Sequence, residues 1–350
     1  MAEPGTTEPP ARAAQADMVG RPRVVVIFTG GTIAMLPEPA TGAAVPALRG
    51  QEILARVPGL AEGADLEVID WGLVPASHLR FGQILEIGSL IRTAAQRAEV
   101  AGVVVVQGTD VMEETAFAWD LLHSSEVPVA VVGAMRNAAD ADYDGPRNLR
   151  DAIGVAADPR MRGQGVVVVM DGRVLPADDV AKTDSQALDT FQAPNRGLLA
   201  QVAGGRVSPQ RQRGPRRTLL TAPARAAEPV ALVTAVVSAD GSPIRAAVAA
   251  GAVGVVVEAT GAGNTDPDLL SAAEEAIARG LPVVLTTRCL SGPVGPFYGF
   301  RGGGRSWQEA GAILAGSLSG PKARIALALG LGAGLDGAGL AELLTPAWSS

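Results

Sequence analysis

Several residue types that usually carry protein chemistry are scarce in this chain. There is one cysteine, Cys289, so neither an intrachain disulfide nor a cysteine-built zinc site is possible. There are two histidines, His78 and His123, too few for most histidine-based metal sites. Aromatic residues make up 3% of the chain, so its core must be built from Ala, Val, Leu and Ile. No apolar run approaches the roughly 18 residues of a membrane-spanning helix. Basic residues do not dominate either: the net charge of −7 argues against a nucleic-acid or anionic-membrane partner. Residues 1–20 (MAEPGTTEPPARAAQADMVG) lack the apolar stretch of about 7–15 residues that a secretory signal needs. They are expected to be a disordered tail, and the location is expected to be cytoplasmic. What is present is a chain of 350 residues, 47% hydrophobic and 19% charged, which excludes disorder and allows a large core.

Short valine-rich runs recur at Val24–Phe28, Val103–Val106, Val129–Val132, Val166–Val169, Val230–Val233, Val253–Val257 and Pro282–Thr286. Continuous apolar runs bounded by Gly or polar turns are expected of strands buried on both faces. Helical patterns such as Glu113–Leu122 and Asn148–Ala157 separate them. Alternation of this kind predicts an α/β fold with a mostly parallel sheet and flanking helices. Around 203–228 an Arg-, Pro- and Gly-rich stretch interrupts the pattern. The expected organisation is an N-terminal catalytic α/β domain over 21–205, a linker over 206–228 opening on a short hairpin, and a smaller C-terminal α/β domain over 229–350. The linker arginines are expected on a solvated surface.

In open parallel sheets, ligands bind at the carboxyl ends of the strands, and three such ends are unusually polar here. The first is TGGTIA, 29–34: two glycines permit a tight turn with free backbone N–H groups, and its threonines are candidate nucleophiles or caps. The second is QGTDVMEETA, 107–116, in which Thr109 or Asp110 is a candidate helix cap, with Glu113 completing a capping box. That reading leaves unexplained why a hydroxyl and a carboxylate stand together at this edge. The third ends at Lys182. Only Lys182 and Lys322 are lysines, and Arg supplies every other basic side chain. A lysine kept where Arg is the rule suggests an amine able to lose its proton. Brought together, Thr32, Thr109, Asp110 and Lys182 make a nucleophile with a hydroxyl–carboxylate–amine relay. Such a set suits acyl transfer from an amide to water without metal or cofactor.

TGGTIA and GTDVMEETA resemble the two signature motifs of the bacterial-type L-asparaginase/glutaminase family of threonine amidohydrolases. The resemblance continues through VVGAMRNAADADYDGPRNLRDA (131–152), GVVVVMDGRVLPADDVAKTDS (165–185), GAGN (261–264) and GAILAGSLSGPKARIALAL (311–329). It implies Thr32 as nucleophile, with Thr109, Asp110 and Lys182 beside it. It implies Asp110 on the substrate's α-amino group, Gly108 and Ala76 or its neighbour Ser77 against the substrate, and Asn264 reaching a neighbouring subunit's site. It further implies a small amide substrate, no cofactor, no metal, and a homo-oligomer, dimer or tetramer. The implied reaction releases ammonia from asparagine through an ester on threonine.

The departures from the family pattern are specific. Gln107 stands where His is usual, at a position implied to lie behind the reacting groups. The segment 35–49 lacks the usual loop tyrosine, with Ala43 or Ala44 near its place; the only tyrosines are Tyr143 and Tyr298. Ala76 occupies the position of the serine that holds the substrate carboxylate, and Glu309 is a candidate for a carboxylate from the C-terminal domain. A modified or D-configured amide is therefore an alternative substrate. A non-catalytic amino-acid-binding homologue and an ammonia-supplying amidotransferase subunit are further alternatives. Elsewhere, His78 is expected at an exposed rim and His123 as a cation at a helix C-terminus. Cys289 is expected in the core, and GLGAGLDGAG (330–339) lacks the strand that a dinucleotide fingerprint requires.

Overall fold

All but one of the valine runs become interior strands of a computed structural model that describes residues 20–345 other than 39, 58 and 59. The exception, Val230–Val233, forms a half-exposed edge strand of the second sheet, with no neighbour among the described residues on its outer side to bury it. The expected tail over 1–20 therefore lies outside the described residues, except for its last position. The N-terminal unit runs β1 (Arg23–Phe28), a hairpin of β2 (Met35–Pro37) and β3 (Ala44–Pro46), α1 (Gly50–Ala55), α2 (Leu60–Gly63) and β4 (Asp65–Asp70). It continues through α3 (Phe81–Ala95), β5 (Val100–Val106), α4 (Met112–Leu122), β6 (Val129–Val132), α5 (Gly145–Ala157), β7 (Val166–Met170) and β8 (Arg173–Pro176). A two-residue pair, β9 (Ala181–Lys182) and β10 (Phe191–Gln192), precedes the hairpin β11 (Ala200–Ala203) and β12 (Arg206–Pro209).

These strands form one eight-stranded sheet in the order β12-β11-β8-β7-β6-β5-β1-β4. Its β4-to-β7 side is parallel, and β8, β11 and β12 extend it antiparallel. The valines of β1, β5, β6 and β7 are wholly buried, as a sheet covered on both faces requires. The edge strand β4 reads DLEVID, with Asp65, Glu67 and Asp70 interrupting its apolar residues, and for that reason gives no continuous apolar run. Chain order reverses between β1 and β5, where β4 lies on one side and β6 on the other. That is the switch point at which α/β sheets open a crevice.

The second unit runs β13 (Val230–Thr234), α6 (Ser242–Ala249), β14 (Gly254–Ala259), α7 (Pro267–Ala278), β15 (Val283–Thr287), α8 (Gly304–Glu309), β16 (Ile313–Leu314), α9 (Gly320–Gly332) and α10 (Gly337–Leu344). Its four strands are parallel, in the order β13-β14-β15-β16. Helix α9 is apolar on nearly all sides because it is buried between the units, against α4 on one side and β13 and β14 on the other. No helix among the described residues is long and apolar enough to cross a membrane.

Three expectations are corrected here. The connecting segment does open on a hairpin strand, β12, but its arginines are not all on a solvated surface: the Arg213 side chain is 1% exposed, paired with Asp120 and Asp178. Arg216 joins the same Asp120 carboxylate at 3.0 Å. Burial alone would raise the Asp120 carboxyl, but the two guanidiniums outweigh it and hold it below the usual carboxylate range. His123 is buried, its Nε2 lies 2.7 Å from the Val127 carbonyl, and desolvation lowers its pKa, so it is not a cation at a helix end. Cys289 is exposed rather than in the core, since β15 has already ended at Thr287.

Candidate active site

Parallel register brings three strand ends to one level: Phe28 of β1 stands opposite Asp70 of β4 and Val106 of β5. The turns that follow are laced together, because Thr29 N–H donates to the Val106 carbonyl at 2.9 Å and Val74 N–H donates to the Thr29 carbonyl at 2.9 Å. Gly31 takes a φ of 94°, and a side chain there would lie 2.1 Å from the Gly108 nitrogen. The two turns thus touch backbone to backbone, which only glycine permits. Gly108 in turn faces Ala76: a side chain on it would lie 2.9 Å from the Ala76 methyl. Thr29, Gly31, Ala76, Gly108 and Thr109 therefore form one wall at the switch point.

Thr32 opens a short 3₁₀ turn, Thr32–Ala34, immediately after Gly31. Its side chain is half-buried and takes part in no hydrogen bond among the described residues. The hydroxyl of Thr29, by contrast, is spent on the Val106 carbonyl at 3.1 Å. That leaves Thr32 as the threonine of this motif with a hydroxyl available for reaction.

Across the crevice, Lys182 Nζ donates to Thr109 Oγ1 at 2.9 Å and pairs with Asp110 Oδ1 at 3.2 Å. Lys182 is 17% exposed, whereas Asp110 is 66% exposed and open to an incoming ligand. The capping-box reading of this motif is overturned. The N-cap of α4 is Val111, with no side-chain cap bond, and Glu113 instead accepts the Lys182 backbone N–H at 2.7 Å. Three polar side chains of the motif, Thr109, Asp110 and Glu113, turn toward Lys182, about 70 residues further along the chain.

The remaining candidates divide. Ala76 is buried against Gly108, while Ser77 and His78 are exposed on the same 3₁₀ turn. Gln107 is fully buried behind the reactive face; its Nε2 donates to Thr115 Oγ1 at 2.7 Å, and its Oε1 has no partner. Asn264 lies in the turn after β14, bonded through its backbone to Thr260, and its Oδ1 is buried without a partner. No hydrogen bond among the described residues links Asn264 or Glu309 to Thr109, Asp110 or Lys182.

Residue-by-residue reading of the sequence missed the supports of the site. Tyr143 Oη donates to the Ile33 carbonyl at 2.8 Å, fixing the turn one residue beyond Thr32. Burial, with the Asp144 charge nearby, pushes its phenol up to about 12, so it stays a donor. Asp144 accepts the backbone N–H groups of Met135 and Arg136 and ties down the loop that carries Tyr143. The signal available in sequence was Tyr143 directly before the Asp-Gly-Pro that starts α5.

The fold and the edge site together define a two-domain α/β protein with a threonine–lysine–aspartate constellation at the sheet switch point. The family profile described as "Asparaginase, N-terminal" matches residues 23–214, and "Glutaminase/Asparaginase C-terminal domain" matches residues 229–344. A "Probable L-asparaginase" of Deinococcus radiodurans is 35% identical over 87% of this chain and 92% of its own length. An "L-asparaginase" of Bacillus licheniformis is 32% identical over 88% of this chain and 94% of its own. A "Probable L-asparaginase periplasmic" of Haemophilus influenzae is 32% identical over 89% and 88%. The chain belongs to the bacterial-type asparaginase family.

Proposed function

We propose that this protein is an amidohydrolase that releases ammonia from the side-chain amide of L-asparagine through an ester on threonine. The observation that carries the reading is the contact of Lys182 Nζ with both Thr109 and Asp110, on the turn whose Gly108 meets Gly31, with a Thr32 hydroxyl next to that glycine that makes no hydrogen bond among the described residues. In this reading Thr32 Oγ1 attacks the amide carbon and its proton leaves through the Thr109–Lys182 pair. The backbone N–H groups of the two glycine turns stabilise the tetrahedral oxyanion. The amide nitrogen takes up a proton and departs as ammonia. Water then attacks the ester, giving aspartate and restoring the Thr32 hydroxyl. Asp110, open at the rim, takes the substrate's α-ammonium, and Gly108 and Ala76 border the substrate. Ser77, exposed on the far side of its turn, is the weaker of the two neighbouring candidates. One observation favours a second assignment, with Thr109 bearing the ester: Lys182 touches Thr109 directly.

We further propose a homo-oligomer, dimer or tetramer, in which Asn264 serves a neighbouring copy's site. Leu290, Phe297, Tyr298 and Phe300, all exposed on the loop that packs against its turn, support this. For the units, we propose a catalytic one over 21–205, extended by β12 and joined through residues up to 228 to one over 229–350.

Ammonia release from L-Asn, D-Asn, Gln and side-chain-modified amides by purified protein tests the function. L-Asn is expected to have the highest kcat/KM. A D-configured or modified amide turned over faster would replace the substrate and keep the mechanism, and no release from any amide would remove the activity.

A further inference from the structure

The chain's two lysines lie on different units, yet one of them holds the three-residue segment that carries the other. Lys322, on α9, is 2% exposed, and its Nζ donates to the Val180 carbonyl. Glu113, on α4, accepts the N–H of Lys182 at 2.7 Å. The segment Val180–Lys182 is therefore held at one end by a buried ammonium from the second unit and at the other by a carboxylate from the first. The sheet does little to hold it: β9 pairs only with β10, through two residues. A two-residue pair of this kind is soft by itself. Glu113, Asp178, Asp179, Lys182 and Lys322 also line one cavity of about 170 Å³ behind the site. Burial pushes the Lys322 ammonium toward neutrality, and Glu113, Asp178 and Asp179 oppose that push. A compact ammonium can enter this space end-on, which the wide guanidinium that serves elsewhere in the chain cannot match.

We propose that Lys322 and Glu113 are positioning residues that clamp Val180–Lys182, so that the C-terminal unit helps to set where the Lys182 amine meets Thr109 and Asp110. This rests on the proposed role of Lys182. The clamp touches no reacting atom, and so it should govern the rate of the chemical step rather than the hold on substrate.

The test compares Lys322→Met, Glu113→Met and Glu113→Gln with the parent and with Lys182→Met, measuring kcat and KM for L-Asn together with circular dichroism and thermal melting. A parent without turnover, or Lys182→Met at the parental rate, overturns the functional reading itself, independently of the clamp. With those controls in place, Lys322→Met and Glu113→Met are expected to lose about 10- to 100-fold in kcat, the scale of a misplacement near 1 Å, with KM within about threefold. Glu113→Gln keeps an oxygen acceptor for the Lys182 N–H and is expected to stay within about fivefold of the parent. Parental kcat in folded Lys322→Met overturns the clamp, as do equal kcat values for Glu113→Gln and Glu113→Met. If Lys322→Met does not fold, the Glu113 pair decides.

Discussion

Two turns leave the sheet edge side by side and are built on opposite plans. The turn at 29–34 is held by backbone: Gly31 presses on Gly108, Val74 binds the Thr29 carbonyl, Tyr143 binds the Ile33 carbonyl, and the Thr32 hydroxyl has no partner among the described residues. The turn at 108–113 is held by side chains: Thr109, Asp110 and Glu113 all engage Lys182. A nucleophile needs a fixed position and a free lone pair, and backbone anchoring supplies both. A proton relay needs its side chains connected to one another, and the second turn supplies that. The difference between the turns is a division of labour.

Four substitutions sharpen or break this contrast. Thr32→Ala removes the free hydroxyl and is expected to lower kcat for L-Asn by about three orders of magnitude or more without changing the melting curve. A loss under tenfold would assign the nucleophile to the other turn. Gly31→Ala places a methyl where the two backbones meet and where φ is 94°. It is expected to cost about 100-fold in kcat, measured alongside circular dichroism to show that the fold persists.

Asp120→Ala acts at the far end of α4, the helix behind the second turn, and takes from the buried Arg213 one of its two carboxylate partners, leaving it Asp178. Chemical unfolding is expected to report a loss of about 3–5 kcal/mol, the usual result of removing one partner from a buried ion pair. Because the folded Asp120 carboxyl is held low, its stabilising contribution is present at neutral pH. It is lost as pH falls below the ordinary carboxylate value of about 4 and through the folded one. The stability difference between parent and Asp120→Ala should therefore narrow in acid; a constant difference would assign the loss to packing. Tyr143→Phe deletes a single hydrogen bond from the first turn and is expected to be mildest. It should cost about 1 kcal/mol of stability, with kcat reduced several-fold and KM nearly unchanged.

The sequence revealed what depends on local pattern. Valine runs announced the interior strands because strands buried on both faces carry no polar alternation. The edge strand β4 escaped because its acids interrupt its apolar residues. Arg213 was read as solvated because its partners, Asp120 and Asp178, are distant in the chain. The Thr109–Glu113 stretch was legible as chemistry and misread as a helix cap for the same reason. A cap is completed within one turn of chain, whereas the lysine that claims these side chains arrives only with the tertiary fold. Two scarce residue types were better guides than any periodicity. Lysine, where Arg is the rule, marked Lys182 and, unrecognised, Lys322. Tyrosine, nearly absent, also stood out at Tyr143, but its role as the support of the Ile33 carbonyl came only with the fold.

The central claim is that both turns serve one reaction, in which a threonine hydroxyl of the first carries the acyl group and Lys182, held against the second, makes that possible. Rapid acid quench of the parent and of Lys182→Met during L-Asn turnover, followed by peptide mapping of the trapped ester, tests it directly. The ester is expected on the peptide containing Thr32 in the parent and at no position in Lys182→Met. An ester that maps away from Thr32, or one that forms equally fast without the lysine amine, would contradict it.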